Sequence, residues 1–358
     1  MKYEYWFAKL KGIPAKDKFW IRSQVANAKE LFYIEETRLI DIGVFEKFRE
    51  IILMDESKVN IEEEFQLLQK KEVKFVTMNE KGYPERLRTI SSPPYAIYYK
   101  GKLPEEHVRT VSIVGARECS AYGRAMAMEF GKELAQHGVQ VVSGMARGVD
   151  SVSQWSSLES GGESFAVLGC GPDICYPRDH FPLYERLAKQ GGILSEYPVG
   201  TEPLRQHFPA RNRIISGLSD VVLVLEAKEK SGSLITADMA LEQGKDVFAL
   251  PGPVTSKLSE GCHQLIKQGA GILISTKDFL KELGIFDIMT NEKELRNKIV
   301  LESAENMLYS CLDFNPKNLS SIVGETGLPL PAVMDCIVSL EMRGFVREIS
   351  KNYYVKVK

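Results

Sequence analysis

Between residues 115 and 233 the chain repeatedly sets small residues beside cations. Gly115-Ala116-Arg117 comes first, then Ser143-Gly144-Met145-Ala146-Arg147-Gly148-Val149-Asp150, then Gly169-Cys170-Gly171 followed by Tyr176-Pro177-Arg178. Arg205, Phe208, Arg211, Asn212 and Arg213 crowd one short stretch, and Lys228 precedes the turn Ser231-Gly232-Ser233. This is anion-binding chemistry. Glycines let a backbone approach phosphate, helix N-termini aim N–H groups at it, and arginines supply charge. Phe208 offers a ring on which a base could stack, worth about 1–3 kcal/mol per base. One nucleotide needs a single such loop; several in series suit a polymer. Plainer roles compete. Gly115, Gly144 and Gly169 also suit tight strand-to-helix turns, Arg124 and Arg147 a solvated helix face, and Phe208 before Pro209 a core anchor.

Other chemistry is thin. Neither GxxxxGK[ST] nor GxGxxG occurs, so no phosphate loop of those kinds is present. The five histidines form no ligand-spaced pair, and Cys170, Cys175 and His180 fit no common zinc spacing, so neither a metal nor a cofactor is expected. Asp150 and Glu196 stand at strand ends, where they could act as acid or base; capping a helix or pairing with the arginines is the plainer role.

These residues need a scaffold that brings separate loops to one edge. From Val111 onward, VSIVGA, VQVVSGM, SFAVLGCG, GILSEYP, DVVLVLEA, KDVFALPG and AGILIST alternate with helix-length amphipathic pieces. Near-continuous apolar runs suit strands buried on both faces, and the repeated alternation predicts a doubly wound, mostly parallel α/β sheet. In such a sheet ligands bind beyond the carboxyl ends of the strands, where each of these loops falls. Residues 1 to about 70 show helical spacing, and the turn-rich stretch KGYPERLRTISSPPYAIYYKG follows. A charged linker, TNEKELRNK, leads to a tail with two short helices and two strands around Ser350-Lys351-Asn352, a winged-helix pattern. The expected organisation is therefore helical 1–75, α/β 76–288 and winged helix 298–358.

The chain has 358 residues, 44% of them hydrophobic, and a formal net charge of −2, so any nucleic-acid site must be a local cluster on a neutral surface. No apolar run reaches the roughly 18–20 residues of a membrane span and no signal peptide opens the chain, so a cytoplasmic location with reduced thiols is expected.

VGAR, SGMARGVD, FAVLGCGPDICYP, GGILSEYP, FPARNRIISGLSD, EAKEKSGSLITADMALEQGKDVFALPG and GCHQLIKQGA, in that order over about residues 80–276, resemble the DNA-processing protein A (DprA, or Smf) family. The resemblance implies a non-enzymatic homodimer, paired through its Rossmann-like domain, that binds single-stranded DNA and loads the RecA recombinase during transformation or recombination. It places DNA contacts at Arg117, at Phe208 and the arginines of FPARNR, at Arg205, and at Ser231, Gly232 and Ser233. It further implies a sterile-alpha-motif-like or helix-hairpin-helix N-terminal domain. Gln154 departs from the family, which has histidine there. The tail's second helix carries Asp335 and Glu341 against Arg343 alone, which suits docking better than reading a major groove. The competing expectation is a nucleoside-monophosphate phosphoribohydrolase, although the PGGxGTxxE phrase of that group is absent.

Overall fold

The computed structural model describes residues 1–285, 303–313 and 316–357, so the expected linker at 290–298 lies outside the described residues. The chain divides into two compact units, Met1–Phe286 and Asp287–Lys358.

The apolar runs form the centre of the first unit. Its nine strands are β1 Lys74–Thr77, β2 Ala96–Gly101, β3 Thr110–Val114, β4 Gln140–Ser143, β5 Ser164–Val167, β6 Gly191–Ser195, β7 Val221–Val224, β8 Asp246–Ala249 and β9 Gly271–Ile272. They are ordered β1-β2-β6-β5-β4-β3-β7-β8-β9, parallel from β6 to β9, with β1 and β2 antiparallel at one edge. Strands β3 to β7 are almost wholly buried, which is why their sequences do not alternate with polar residues. Side-chain direction nevertheless has period two. Val114, Val142, Val222 and Val224 enter one core layer with Ile214 and Ala237, while Val111, Ile113, Val141 and Leu223 enter the opposite layer with Phe130 and Phe279. The expected doubly wound sheet is present.

From β3 the chain winds outward through β4, β5 and β6, then crosses back to β7 on the other side of β3. Strand order therefore reverses at β3 and β7, and a crevice opens beyond their carboxyl ends. Helices Ala121–Gln136, Val149–Glu159, His207–Gly217 and Gly232–Glu242 start at this rim.

Six α-helices between Lys2 and Lys70 precede the sheet. Their core, around Trp6, Leu31, Leu39 and Ile52, continues onto Phe75, Tyr95 and Tyr98 of the antiparallel edge. The boundary expected at 75/76 falls inside β1, which pairs with β2 from Lys74↔Tyr99 to Thr77↔Ala96. The turn-rich stretch also holds more structure than its prolines suggest. It contains the helix Glu85–Arg88 and the whole of β2, and Arg86 pins it to β3 through Thr110 Oγ1 at 2.7 Å and to Asp220 at 3.3 Å.

In the second unit the helices Ser303–Cys311, Leu319–Thr326 and Leu330–Met342 pack over a three-stranded antiparallel sheet of β10 Lys317–Asn318, β11 Val346–Ser350 and β12 Tyr353–Lys356. Leu308, Ile322, Val333, Ile337, Leu340, Val346 and Tyr354 form its core. Among the described residues no single helix is long and apolar enough to cross a membrane.

Candidate nucleic-acid interface

The loops that follow β3, β4, β5 and β7 meet the first turns of the helix His207–Gly217. They enclose a hollow of about 700 Å³ whose wall includes Gly115, Arg117, Arg205, Phe208, Arg211, Asn212, Lys228, Lys230 and Ser231–Ser233. A second hollow of about 510 Å³ shares Arg117, Tyr176, Phe208 and Arg211 with it and reaches Gly144, Arg147 and Arg178. The two form one groove across the switch point. Tyr176 and Phe208 stand in the shared wall with ring centroids 5.4 Å apart.

Backbone geometry explains how the loops meet. Gly148 has φ of 78°, and a Cβ there would lie 2.2 Å from the Ala116 carbonyl oxygen and 2.6 Å from that of Arg117. The β4 loop can therefore lie directly against the Arg117 loop, where Val149 N donates to Ala116 O at 3.2 Å. Gly144 is wedged between the Arg211 guanidinium and the Asp150 carboxylate, each within 3 Å of where its Cβ would be. Ser231 caps the helix Gly232–Glu242 by accepting from Ser233 N at 3.4 Å, and Asn212 Nδ2 donates to Gly232 O at 3.2 Å.

The cations divide by environment. Arg117, Arg205, Lys228 and Lys230 are exposed and line the first hollow. Arg147 is exposed but pairs with Asp179 at 3.0 Å. Arg211 is buried, donating to the Gly144 carbonyl at 3.1 Å and to that of Val167. Burial pushes its guanidinium down to about 10, opposed by the neighbouring Asp150, so it keeps its charge at neutral pH. Asp150 is itself pushed up by burial, and it accepts from Gly144 N at 3.1 Å.

Arg213 departs from expectation. It lines neither hollow; its guanidinium grips Glu196 at 2.7 and 2.6 Å and donates to Ser92 O at 2.8 Å. Arg213 and Glu196 are half-buried partners that join the helix His207–Gly217 to the β6 loop. Gly169 and Gly171 also stay out of both hollows. A Cβ on Gly169 would touch the Phe208 ring at 3.0 Å, and one on Gly171 would meet the Pro198 carbonyl at 2.7 Å, so both shape the rim from behind. Tyr176, Arg178 and Lys230, which the sequence sets on the same rim without an assigned contact, line the walls too. All three follow the same strand-end rule that located the rest.

The remaining chemistry resolves into structure. Cys170 Sγ lies 3.4 Å from Ile174 O, Cys175 Sγ 3.3 Å from Pro177 O, and His180 Nδ1 3.0 Å from Met145 O. Among the described residues no His, Cys, Asp and Glu cluster could hold a metal. Gln154 is fully buried; its Oε1 accepts from Met145 N at 3.1 Å while its Nε2 donates to Phe165 O at 3.0 Å. The amide at this position ties β5 to the β4 loop.

The groove, lined by cations, lies at the switch point of a doubly wound, Rossmann-like sheet, where such folds take their ligands. The chain belongs to the DNA recombination-mediator protein A family, whose sequence profile matches residues 74–284, from β1 to the last helix of the first unit. Protein Smf of Escherichia coli K12 is 38% identical over 288 residues, which is 76% of this chain and 74% of Smf. DNA processing protein A from Streptococcus pneumoniae superposes with a TM-score of 0.69 at 34% identity, covering 79% of this chain and 98% of that one. Helicobacter pylori DNA processing protein A, whose structure concerns its single-stranded DNA binding mode, gives a TM-score of 0.53 at 30% identity, covering 60% of this chain and 97% of that one.

Proposed function

We propose that the groove holds single-stranded DNA without regard to sequence, and that the protein acts by binding rather than catalysis. One observation carries the reading: Arg117, Arg205, Lys228 and Lys230, exposed and without an ion-pair partner among the described residues, line a groove that also presents Tyr176 and Phe208. Backbone phosphates meet the cations and bases meet the rings, the combination used for unpaired strands. On this reading the protein is a cytoplasmic homodimer that protects incoming or processed strands and loads RecA onto them in transformation or recombination. Residues 1 to about 73 serve as a helical accessory domain, and the second unit is a winged helix.

A nucleotide hydrolase suits this geometry less well. Asp150 is buried beside Arg211 and Glu196 is held by Arg213, so neither carboxylate is free to serve a ribose.

Fluorescence anisotropy with oligo-dT and a matched duplex tests the reading. Tight binding to the single strand is expected, with log affinity falling against log salt by about 0.7 per neutralised phosphate. Arg117→Ala and Arg205→Ala should each flatten that slope by about one phosphate, whereas Arg213→Ala should leave it and lower stability instead. Duplex preference, or no salt dependence, would overturn the reading. Adding RecA to the coated strand and following filament formation tests loading separately.

A further inference from the structure

The helix Leu330–Met342 is apolar on two sides. Val333, Ile337 and Leu340 enter the core of the second unit. Leu330, Met334, Val338 and Met342, spaced four apart, are instead 51%, 36%, 50% and 85% exposed. Side chains at i and i+4 share a helix face, so these four make one stripe, about 18 Å long at ~1.5 Å per residue. Scattered exposed hydrophobics are ordinary, but a continuous row on a small unit marks a contact surface. Two of the four are methionines, whose side chains adapt to a partner's shape.

Charge decides among occupants. Asp335 and Glu341 are both exposed and flank the stripe on opposite sides. Arg343, at the helix end, is occupied by Glu305 at 2.8 Å. Of the neighbouring hairpin's cations, Arg347 and Lys351 are separated by Glu348, and Lys356 lies over the Tyr309 ring at 4.0 Å. A duplex groove needs basic or amide side chains on the entering helix, and an anionic bilayer needs a basic polar face; this helix has neither. A second copy of the same helix would bring two more acids against these two. Lysine or arginine flanking apolar anchors satisfies both features.

We propose that this face docks a basic amphipathic helix of a partner protein, about three turns long, with its apolar side on Met334 and Val338 and its cations on Asp335 and Glu341. The mode is helix against helix, read as anchors one turn apart.

The test uses the full-length protein and two short fluorescein-labelled helical peptides with identical leucines on one face and either lysines or glutamates on the other. Anisotropy should show the lysine peptide binding at least about threefold tighter at low salt, the scale of two exposed ion pairs. Met334→Ser with Val338→Ser should remove most of that binding, and because both side chains face outward the melting temperature should hold. Asp335→Lys with Glu341→Lys should reverse the preference to the glutamate peptide, which no loss of folding could imitate. Equal binding of the two peptides, or none, overturns the proposal. So does a drop in oligomer size with the serine pair in sedimentation, which would make a second copy the occupant. Loss of vesicle or duplex binding with that pair would likewise overturn it.

Discussion

Arg211 and Arg213 show how helix geometry separates two identical side chains. On the helix His207–Gly217, Phe208, Arg211, Asn212 and Ile215 recur at three- and four-residue spacing, and all four line the first hollow. Arg213 is two positions from Arg211, about 200° around the axis, and meets Glu196 instead. The composition FPARNR announced a cationic site, but applying helical spacing inside that phrase was needed to separate its two arginines. A different residue carries the clearest pH signature. Lys18 is buried, its Nζ donating to Ala8 O at 2.5 Å, and burial pushes its ammonium down to about 7. Between that value and the unfolded value near 10.5 the unfolded chain binds more protons than the folded one. Folding stability should therefore climb as pH rises from about 7, by up to ~1.4 kcal/mol per unit, and Lys18 contributes no slope below that range. Urea unfolding at pH 7 and pH 9 reads this directly. Lys18→Met should flatten the climb and stabilise the protein most at the lower pH; an unchanged climb would place the titration elsewhere.

At the scale of elements, strands β3 to β7 were legible because a strand covered on both faces must be largely apolar, which few other segments are. β1 and β2 were not. They form the antiparallel edge, one begins with exposed Lys74, and the other follows Pro93-Pro94, whose local signal is a turn. Only pairing with each other and with β6 makes them strands, and single-sequence periodicity does not carry that information. The loops were located correctly as a rim, but their contact through Gly148 was not foreseen. Gly148→Ala forces both a positive φ, costing about 1–2 kcal/mol, and a shift of the Arg117 loop away from the new methyl. It should lower the melting temperature and weaken oligo-dT binding several-fold. Gly200→Ala is the control: φ there is 79° but nothing lies within 4 Å of the Cβ position. It should cost similar stability and leave DNA affinity unchanged. Equal affinity loss in both would mean that strain alone, not the position of Arg117, governs binding.

The whole molecule joins its helical segment to the sheet more closely than domain arithmetic suggests. Tyr5 packs edge-on to Tyr98 at 6.2 Å and against Phe75 at 5.7 Å, while Phe7 meets Tyr95 at 5.5 Å, so the aromatic layer belongs to both parts. Removing residues 1–72 would leave Phe75, Tyr95 and Tyr98 open to water on the antiparallel edge, each having buried roughly 150–250 Å². The helices and sheet should therefore melt together. Calorimetry of residues 1–286 is expected to give one transition whose calorimetric and van't Hoff enthalpies agree. A 73–286 fragment should melt lower and self-associate through its exposed aromatics. The second unit, with a core of its own, should melt as a separate transition in the full chain. A 73–286 fragment that stays monomeric with an unchanged melting temperature would show that the helices only rest on the sheet, and the aromatic layer would then stabilise the N-terminal segment alone.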